Sequence, residues 1–231
     1  MLQAFWEKIV MTLFEKQRYL YIVNGLGNTL LMTVGAVLIG ILIGLLVAAA
    51  KVSPGKSWFS RLLKFIADCY LTVIRGTPAT VQLMIIYFVI FAQVDIDKIL
   101  VAIIAFGINS GAYVSEIIRA GILAVDRGQM EAGRSLGLNY SATMRHIVLP
   151  QALKNILPAL GNEFIVLLKE TSVAGFIGMM DLTKAADIIK SQTYEAMAPL
   201  LLVAAIYLII VMIMTWALRQ FEGRLRKSDH R

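Results

Sequence analysis

The chain contains a stretch from Tyr19 to Ala50 in which no residue is charged. A run of this length exceeds the roughly 20 apolar residues that a helix needs to cross a hydrocarbon core. The whole sequence has the same bias, because 58% of its residues are hydrophobic and only 16% are charged. Soluble domains carry about 25% charged residues. We therefore predict an all-α integral membrane protein.

Further apolar segments predict about five transmembrane helices in a single domain that covers residues 1–231. The segment from Met1 to Arg18 mixes charged and apolar residues, and we expect it to lie as an amphipathic lead-in near the membrane interface. It lacks the basic start and short apolar core of a secretory signal. The predicted spans are 20–50, 62–94, 99–118, 151–168 and 196–218, and a loop at 126–150 joins the third to the fourth.

The Lys and Arg residues are distributed unevenly between the predicted spans, and cytoplasmic loops are enriched in these residues. The segments after the first, third and fifth spans carry an excess of them, whereas the alternate segments hold nearly balanced charges. We therefore place the N-terminus outside and the C-terminus in the cytoplasm. The basic residues on the cytoplasmic side are Lys51, Lys56, Arg61, Lys64, Arg119, Arg127, Arg134, Arg145, Arg219, Arg224, Arg226, Lys227 and Arg231.

The formal net charge of +7 is the kind of value that nucleic-acid binders show. Here the basic residues flank apolar spans, where they set membrane orientation, and we expect no nucleic-acid partner. The chain has one cysteine, Cys69, which excludes an intramolecular disulfide and a cysteine-based metal cluster. We expect no metal site and no cofactor held by this chain.

Three glycines, Gly35, Gly40 and Gly44, lie within the first predicted span. Small residues with this spacing allow two membrane helices to approach closely. The competing interpretation is that Gly40 and Gly44 face lipid. We favour close packing against a second helix.

The loop after the third span reads QMEAGRSLGLNYSATMRHIVLPQALKNILP between Gln129 and Pro158. Its first part is competent to form a helix that ends at Gly137. Ala132 and Leu136 would lie together on this helix and form a small apolar face. Two interpretations are open from the residues alone. The helix either rests on lipid headgroups or docks a partner protein.

This loop resembles the EAA loop of permease subunits of ATP-binding cassette (ABC) importers. That pattern is Glu-Ala-Ala, three residues, Gly, nine residues and then Ile-x-Leu-Pro. Here Glu131-Ala132-Gly133 precedes Gly137 at the same spacing, and Ile147 to Pro150 completes the pattern. The single departure is Gly133 in place of the second Ala. The resemblance implies that an ATPase subunit docks on Glu131, Ala132, Gly133, Leu136 and Gly137.

Three other segments resemble the polar amino acid uptake branch of that family, namely Arg75 to Pro78, Asn109 to Gly121 and Gly161 to Ser172. The resemblance implies a multi-pass permease of the bacterial plasma (inner) membrane that has no active site. It implies four kinds of partner: two ATPase subunits that use ATP and Mg²⁺, a second permease subunit, an extracytoplasmic amino acid-binding protein, and membrane lipid.

Three questions stay open at this level. The alternative function is that of a secondary transporter or channel subunit for small polar solutes. Within the importer interpretation, the residues do not specify which amino acid is carried. They are also compatible with a second permease subunit that is either identical or related.

Polar residues inside the spans are costly in lipid and usually face a bundle interior or a cavity. Arg75 precedes a Gly-Thr-Pro sequence that should loosen the second span, and we predict that Arg75 meets a substrate carboxylate while Glu163 meets its ammonium group. A structural alternative pairs Arg75 with Asp68. The predicted substrate path comprises Arg75, Thr77, Asn109, Ser110, Asn162 and Glu163.

The path residues also have a purely structural interpretation. Interhelical hydrogen bonding accounts for Asn109, Ser110 and Gln82 as well as substrate contact does. For Glu116, near the cytoplasmic end of the third span, we favour an ion pair with Arg119. The sequence therefore predicts a polar face on the third span without fixing whether a solute or a neighbouring helix contacts it.

Overall fold

The structure is a computed structural model that describes residues 15–53, 55 and 57–226. Most of the lead-in predicted before residue 19 therefore lies outside the described residues. Regular structure within the described part is exclusively helical. In chain order its α-helices are α1 (Tyr19–Val52), α2 (Trp58–Gly76), α3 (Ala79–Ile85), α4 (Lys98–Leu123), α5 (Arg127–Ser135), α6 (Tyr140–Thr143), α7 (Leu149–Glu170), α8 (Leu182–Thr193) and α9 (Met197–Arg226).

Several short segments with other helical geometry connect these elements. One turn of 3₁₀-helix at Glu15–Gln17 precedes α1, and a longer one at Thr171–Ile177 follows α7. Two segments are π-helical, Ile86–Ile90 after α3 and Met144–Val148 between α6 and α7. Isolated π-helical turns of this kind are often found at functional sites.

Three helices of the described part are long and apolar enough to cross a membrane: Glu15–Val52, Lys98–Leu123 and Met197–Leu225. The pair α2 and α3 makes a fourth if it is one broken span. The sequence predicted five spans, and the remaining one, 151–168, corresponds to α7, which has 22 residues. This helix is less apolar than the others because it carries Lys154, Glu163, Lys169 and Glu170.

The core of the bundle is the contact between α1 and α4, which is the most extensive pairing of helices. A Cβ atom on Gly44 would lie 2.5 Å from Cγ1 of Val114, and one on Gly40 would lie 3.0 Å from Cβ of Ser110. Neither glycine can face lipid in this arrangement. The close-packing interpretation of Gly40 and Gly44 is therefore confirmed.

The predicted second span, 62–94, is not one straight helix. It consists of α2 and a second helical segment that ends at Ile90, and the two are bent by 107°. The bend falls at Thr77, whose backbone is extended (φ −125°, ψ 147°). Pro78 lacks an N–H group and disfavours helical geometry in the residue before it, which explains the position of the break. The predicted loosening of the second span before Pro78 is confirmed, and the helix is fully interrupted there.

The segment between α7 and α9 was predicted as an outer loop, but it contains α8. The carboxylate of Asp181 begins this helix by accepting hydrogen bonds from the backbone N–H groups of Thr183 and Lys184. The segment is fixed to α1, because Asn28 donates a 2.8 Å hydrogen bond to the carbonyl of Met180 and Thr29 accepts one from the N–H of Leu182. An Asp before a helix-forming run was the sequence signal that we missed.

Candidate functional site: a broken charged span and an exposed loop helix

Gln82 closes the break between α2 and α3. Its side-chain amide nitrogen lies 2.8 Å from the carbonyl oxygen of Ile74, 3.0 Å from that of Thr77 and 2.7 Å from the hydroxyl of Thr77. Carbonyl groups at the end of a helix lack intrahelical partners and need others when they are buried. The amide oxygen of Gln82 accepts a 2.9 Å hydrogen bond from Asn109 of α4. A third helix therefore fixes the geometry of the break.

Arg75 lies at the end of α2, just before this break. Its guanidinium carbon is 5.7 Å from the centroid of the Tyr113 ring, a cation–π distance. Its Nη1 atom is 3.9 Å from Oε2 of Glu116, and 45% of the side chain is exposed. Glu116 in turn accepts hydrogen bonds of 3.2 and 2.7 Å from Arg119. The predicted Glu116–Arg119 pair is confirmed.

The alternative pairing of Arg75 with Asp68 is wrong. Asp68 instead forms an ion pair with Lys51 at the end of α1. The two α2 residues are about 10 Å apart along the helix axis, since each residue contributes 1.5 Å. Each side chain reaches a different neighbouring helix, and a prediction made within one helix could not include those neighbours.

A second polar contact joins α4 to α7. The hydroxyl of Ser110 donates a 2.9 Å hydrogen bond to Oε1 of Glu163, and both groups are at least half-buried. Asn162, the preceding residue, is exposed and donates to the carbonyl of Pro158 in its own helix. Adjacent residues on a helix point about 100° apart, which explains why Glu163 faces α4 and Asn162 does not.

The predicted path residues therefore fall into linked groups. Thr77 and Asn109 meet through Gln82, for which helix bridging and substrate contact were both open interpretations and which was not included in the predicted path. Ser110, the next residue of α4, donates its hydrogen bond to Glu163. Arg75 stands in a third group with Tyr113 and Glu116. A glutamine four positions after a proline in an apolar run was the signal for Gln82.

The loop helix α5 has well-formed ends. The carboxylate of Asp126 accepts a 2.7 Å hydrogen bond from the N–H of Gly128 at its start. At its end Gly137 has φ +86°. The N–H of Gly137 donates to the carbonyl of Arg134 and the N–H of Leu138 to that of Gly133. This is the Schellman arrangement, in which glycine is preferred because the left-handed backbone carries no Cβ penalty.

The residues predicted to dock a partner lie on two different sides of α5. Glu131, Ala132, Leu136 and Gly137 are exposed, and Leu136 is 82% exposed although it is apolar. Gly133 instead is buried, and a Cβ there would lie 2.5 Å from Cγ2 of Thr143. Its small size therefore serves packing inside the chain rather than the exposed surface.

Two further contacts hold α5 against the helices that follow it. A Cβ on Gly133 would lie 2.9 Å from Cδ1 of Ile147, in the π-helical segment. The side-chain amide of Gln151, in the first turn of α7, donates a 3.1 Å hydrogen bond to that of Gln129. The loop helix is thus attached to the start of α7.

Long apolar helices around a bent helix pair that carries a charged side chain are typical of helical membrane transport proteins. Comparison with known proteins narrows this class. The model of the family described as "Binding-protein-dependent transport system inner membrane component" matches residues 20–227. The chain therefore belongs to this family of inner membrane components.

Individual relatives cover nearly the whole chain. A putative glutamine transport system permease protein of Rickettsia bellii (strain RML369-C) is 42% identical over 210 residues, which are 90% of this chain and 94% of the relative. The arginine transport system permease protein of Bacillus subtilis (strain 168) is 40% identical over 211 residues, with the same two coverages.

Solved structures share the fold. A crystal structure of an amino acid ABC transporter with histidines superposes with a TM-score of 0.82 at 47% identity, and the match covers 88% of this chain and 94% of that one. An inward-facing structure of the MetNI methionine ABC transporter gives a TM-score of 0.73 at 21% identity and covers 89% and 96%. The second likeness shows the fold alone.

Proposed function

We propose that this chain is the membrane-spanning permease subunit of an ATP-driven importer of polar amino acids, and that it forms the translocation path. The observation that carries the proposal is Arg75, a half-exposed cation at the point where an apolar span breaks. Broken helices with charged residues are a common way to build transporter sites. The names of the relatives, which specify glutamine and arginine transport, support a polar amino acid as the solute.

Five spans are part of the proposal: α1, the bent pair α2 and α3, α4, α7 and α9. The 22 residues of α7 extend about 33 Å at 1.5 Å per residue, which suffices for a hydrocarbon core about 30 Å thick. The orientation inferred from the Lys and Arg distribution gives an outer N-terminus and a cytoplasmic C-terminus in a bacterial inner membrane.

The loop helix α5 is proposed as the coupling helix. Glu131, Ala132, Leu136 and Gly137 supply its exposed surface, and an exposed apolar residue such as Leu136 is typical of a docking surface. Gly133 contributes by holding α5 against Thr143, so that a movement of α5 is passed to α7.

The proposed assembly has two of these coupling surfaces. Two ATPase subunits, which would bind ATP and Mg²⁺, would dock on α5 of this permease and of a second one that is identical or related. An extracytoplasmic binding protein would deliver the amino acid. Hydrolysis of ATP would then occur outside this chain, which acts as a transport subunit and not as an enzyme.

In the proposed path Arg75 meets the carboxylate of the amino acid and Glu163 meets a cationic group. Asn109 and Ser110 position these two residues through their bonds to Gln82 and Glu163, while Thr77 and Asn162 are both exposed beside them. The ion pair with Glu116 leaves Arg75 partly exposed, as a solute-binding cation must be.

The experiment that tests this function uses the permease co-purified with its ATPase, reconstituted in liposomes and supplied with the binding protein. Arg75→Gln keeps hydrogen-bonding capacity and removes the charge, so we expect an assembled complex that hydrolyses ATP but has lost most uptake of L-glutamine and L-arginine. Arg61→Gln removes another exposed charge, near the start of α2, and should leave uptake intact. Wild-type uptake by Arg75→Gln would remove Arg75 from the path.

A companion variant tests the second charged residue. Glu163→Gln should weaken uptake of L-arginine more than that of L-glutamine, because only L-arginine has a cationic side chain. Equal losses are expected if Glu163 meets the α-ammonium group that both amino acids share, whereas wild-type uptake of both would leave Glu163 with only its contact to Ser110. Uptake that persists without the ATPase would favour the alternative function of a secondary transporter or channel subunit.

A further inference from the structure

The charged residues around Arg75 do not balance. Among the described residues, two ion pairs and one longer contact bring together the cations Lys51, Arg75 and Arg119 and the carboxylates Asp68 and Glu116. Three positive charges thus face two negative charges. The cluster therefore carries one excess positive charge, and an anion that reaches its partly exposed cations lowers the free energy.

Glu116 is shared unequally between two arginines. Arg119 binds it through two hydrogen bonds, at 2.7 and 3.2 Å. Nη1 of Arg75 remains 3.9 Å away, beyond hydrogen-bond distance. Arg75 also contacts the face of the Tyr113 ring and is nearly half exposed. Of the three cations in the cluster, Arg75 is consequently the one that can most easily leave its carboxylate.

We infer that Glu116 is an internal substitute for the carboxylate of the transported amino acid. It holds Arg75 while the path is empty and releases it when a substrate carboxylate arrives. Arg119 limits the strength of this contact by engaging both oxygens of Glu116. The inference rests on the proposed function and adds a positioning residue to it, since Glu116 acts through Arg75.

The weakness of the contact is what makes the exchange workable. A guanidinium without any anion would be costly in the empty path, whereas a close bidentate pair would compete with the substrate. A long, partly exposed ion pair avoids both extremes. Such pairs are weak enough that their loss changes a binding constant by roughly two- to fivefold.

The test measures equilibrium binding of radiolabelled L-arginine and L-glutamine to the purified permease–ATPase complex in nanodiscs, without the binding protein. Glu116→Gln should tighten binding about two- to fivefold. Arg119→Gln should weaken binding, because Glu116 then turns fully to Arg75. The carboxamides of the same amino acids lack the carboxylate and should show neither change.

Two controls separate exchange from other effects. Asp68 carries the same charge as Glu116 in the same cluster, but it pairs with Lys51 and not with Arg75. If Asp68→Asn tightens binding as much as Glu116→Gln does, long-range electrostatics explains the effect and the inference is overturned. Glu116→Asp, which withdraws the carboxylate from Arg75 and keeps its charge, should also tighten binding and serves if Glu116→Gln does not fold.

The outcomes also distinguish this inference from the proposed function. If Arg75→Gln abolishes binding and Glu116→Gln leaves the wild-type affinity unchanged, the exchange is disproved and the substrate path stands. If Arg75→Gln binds both amino acids as the wild type does, the path itself is wrong.

Discussion

The side-chain amide of Asn109 on α4 donates a 2.9 Å hydrogen bond to that of Gln82 on α3. Gln82 uses its own amide nitrogen to bind the carbonyls of Ile74 and Thr77 at the end of α2. Three helices therefore meet in one hydrogen-bonded unit at the break. The orientation of Arg75 at the end of α2 therefore depends on Asn109 of α4, which acts through Gln82.

Replacing Gln82 by methionine should therefore disrupt the break. Gln82→Met keeps the approximate side-chain volume but leaves Asn109 and the Ile74 and Thr77 carbonyls without these partners, at a cost of about 1–3 kcal/mol for a buried unsatisfied group. We expect a lower melting temperature of the purified complex together with reduced uptake. The exposed Gln93 gives a matched control, since Gln93→Met should change neither. Equal stability of the two variants would contradict the assigned role.

A pair of glycines in α1 tests the packing of the bundle. In Gly44→Ala the new methyl group would lie 2.5 Å from Val114, and overpacking of this kind costs about 1–3 kcal/mol. Nothing lies within 4 Å of a Cβ on Gly27 in the same helix. Gly27→Ala should be neutral or stabilise by about 0.5–1 kcal/mol through helix propensity. Thermal unfolding in detergent measures both, and the opposite order of stabilities would refute the α1–α4 contact.

The positive φ of Gly137 leads to a prediction about coupling between the permease and its ATPase. A valine in this left-handed conformation costs roughly 1–2 kcal/mol and should displace the end of α5, whereas asparagine tolerates the conformation better. We expect Gly137→Val to reduce co-purification of the ATPase and ATP-dependent uptake, with Gly137→Asn close to the wild type. A Gly137→Asn variant that is as defective as Gly137→Val would contradict this reasoning.

Topology is tested by cysteine labelling in a Cys69→Ala background. Ser57 precedes α2 on the proposed cytoplasmic side, and the exposed Ser191 lies in α8 on the proposed outer side. A membrane-impermeant thiol reagent applied to intact spheroplasts should modify Ser191→Cys and reach Ser57→Cys only after permeabilisation. Modification of both from one side would contradict an odd number of spans between them.

Much of the fold was accessible from the sequence because it depends on local properties. The uncharged run from Tyr19 predicts α1, the Gly40–Gly44 spacing predicts a close helix partner, and Pro78 predicts the break. Gly137 marks the end of α5 because only the local backbone matters there. These features need no knowledge of which helices are neighbours.

The remaining features depend on contacts between distant segments. The structural alternative paired Asp68 with Arg75 of the same helix, but Lys51 of α1 binds it. Gly133 was assigned to an exposed surface, but Thr143 packs against it. In both cases the sequence identified an important residue and assigned it the wrong neighbour, since periodicity describes one helix and not its surroundings.

The contact between α1 and the start of α8 bears on the order in which the protein is made. The hydrogen bond from Asn28 to Met180 joins residues 152 positions apart. At a synthesis rate of about 5–20 residues per second, Met180 is added to the chain roughly 8–30 s after Asn28. During that interval the N-terminal end of α1 has polar groups without their final partners, whereas α5 and its cap can form from neighbours already made. The end of the bundle where α1 meets the start of α8 is thus completed late in synthesis.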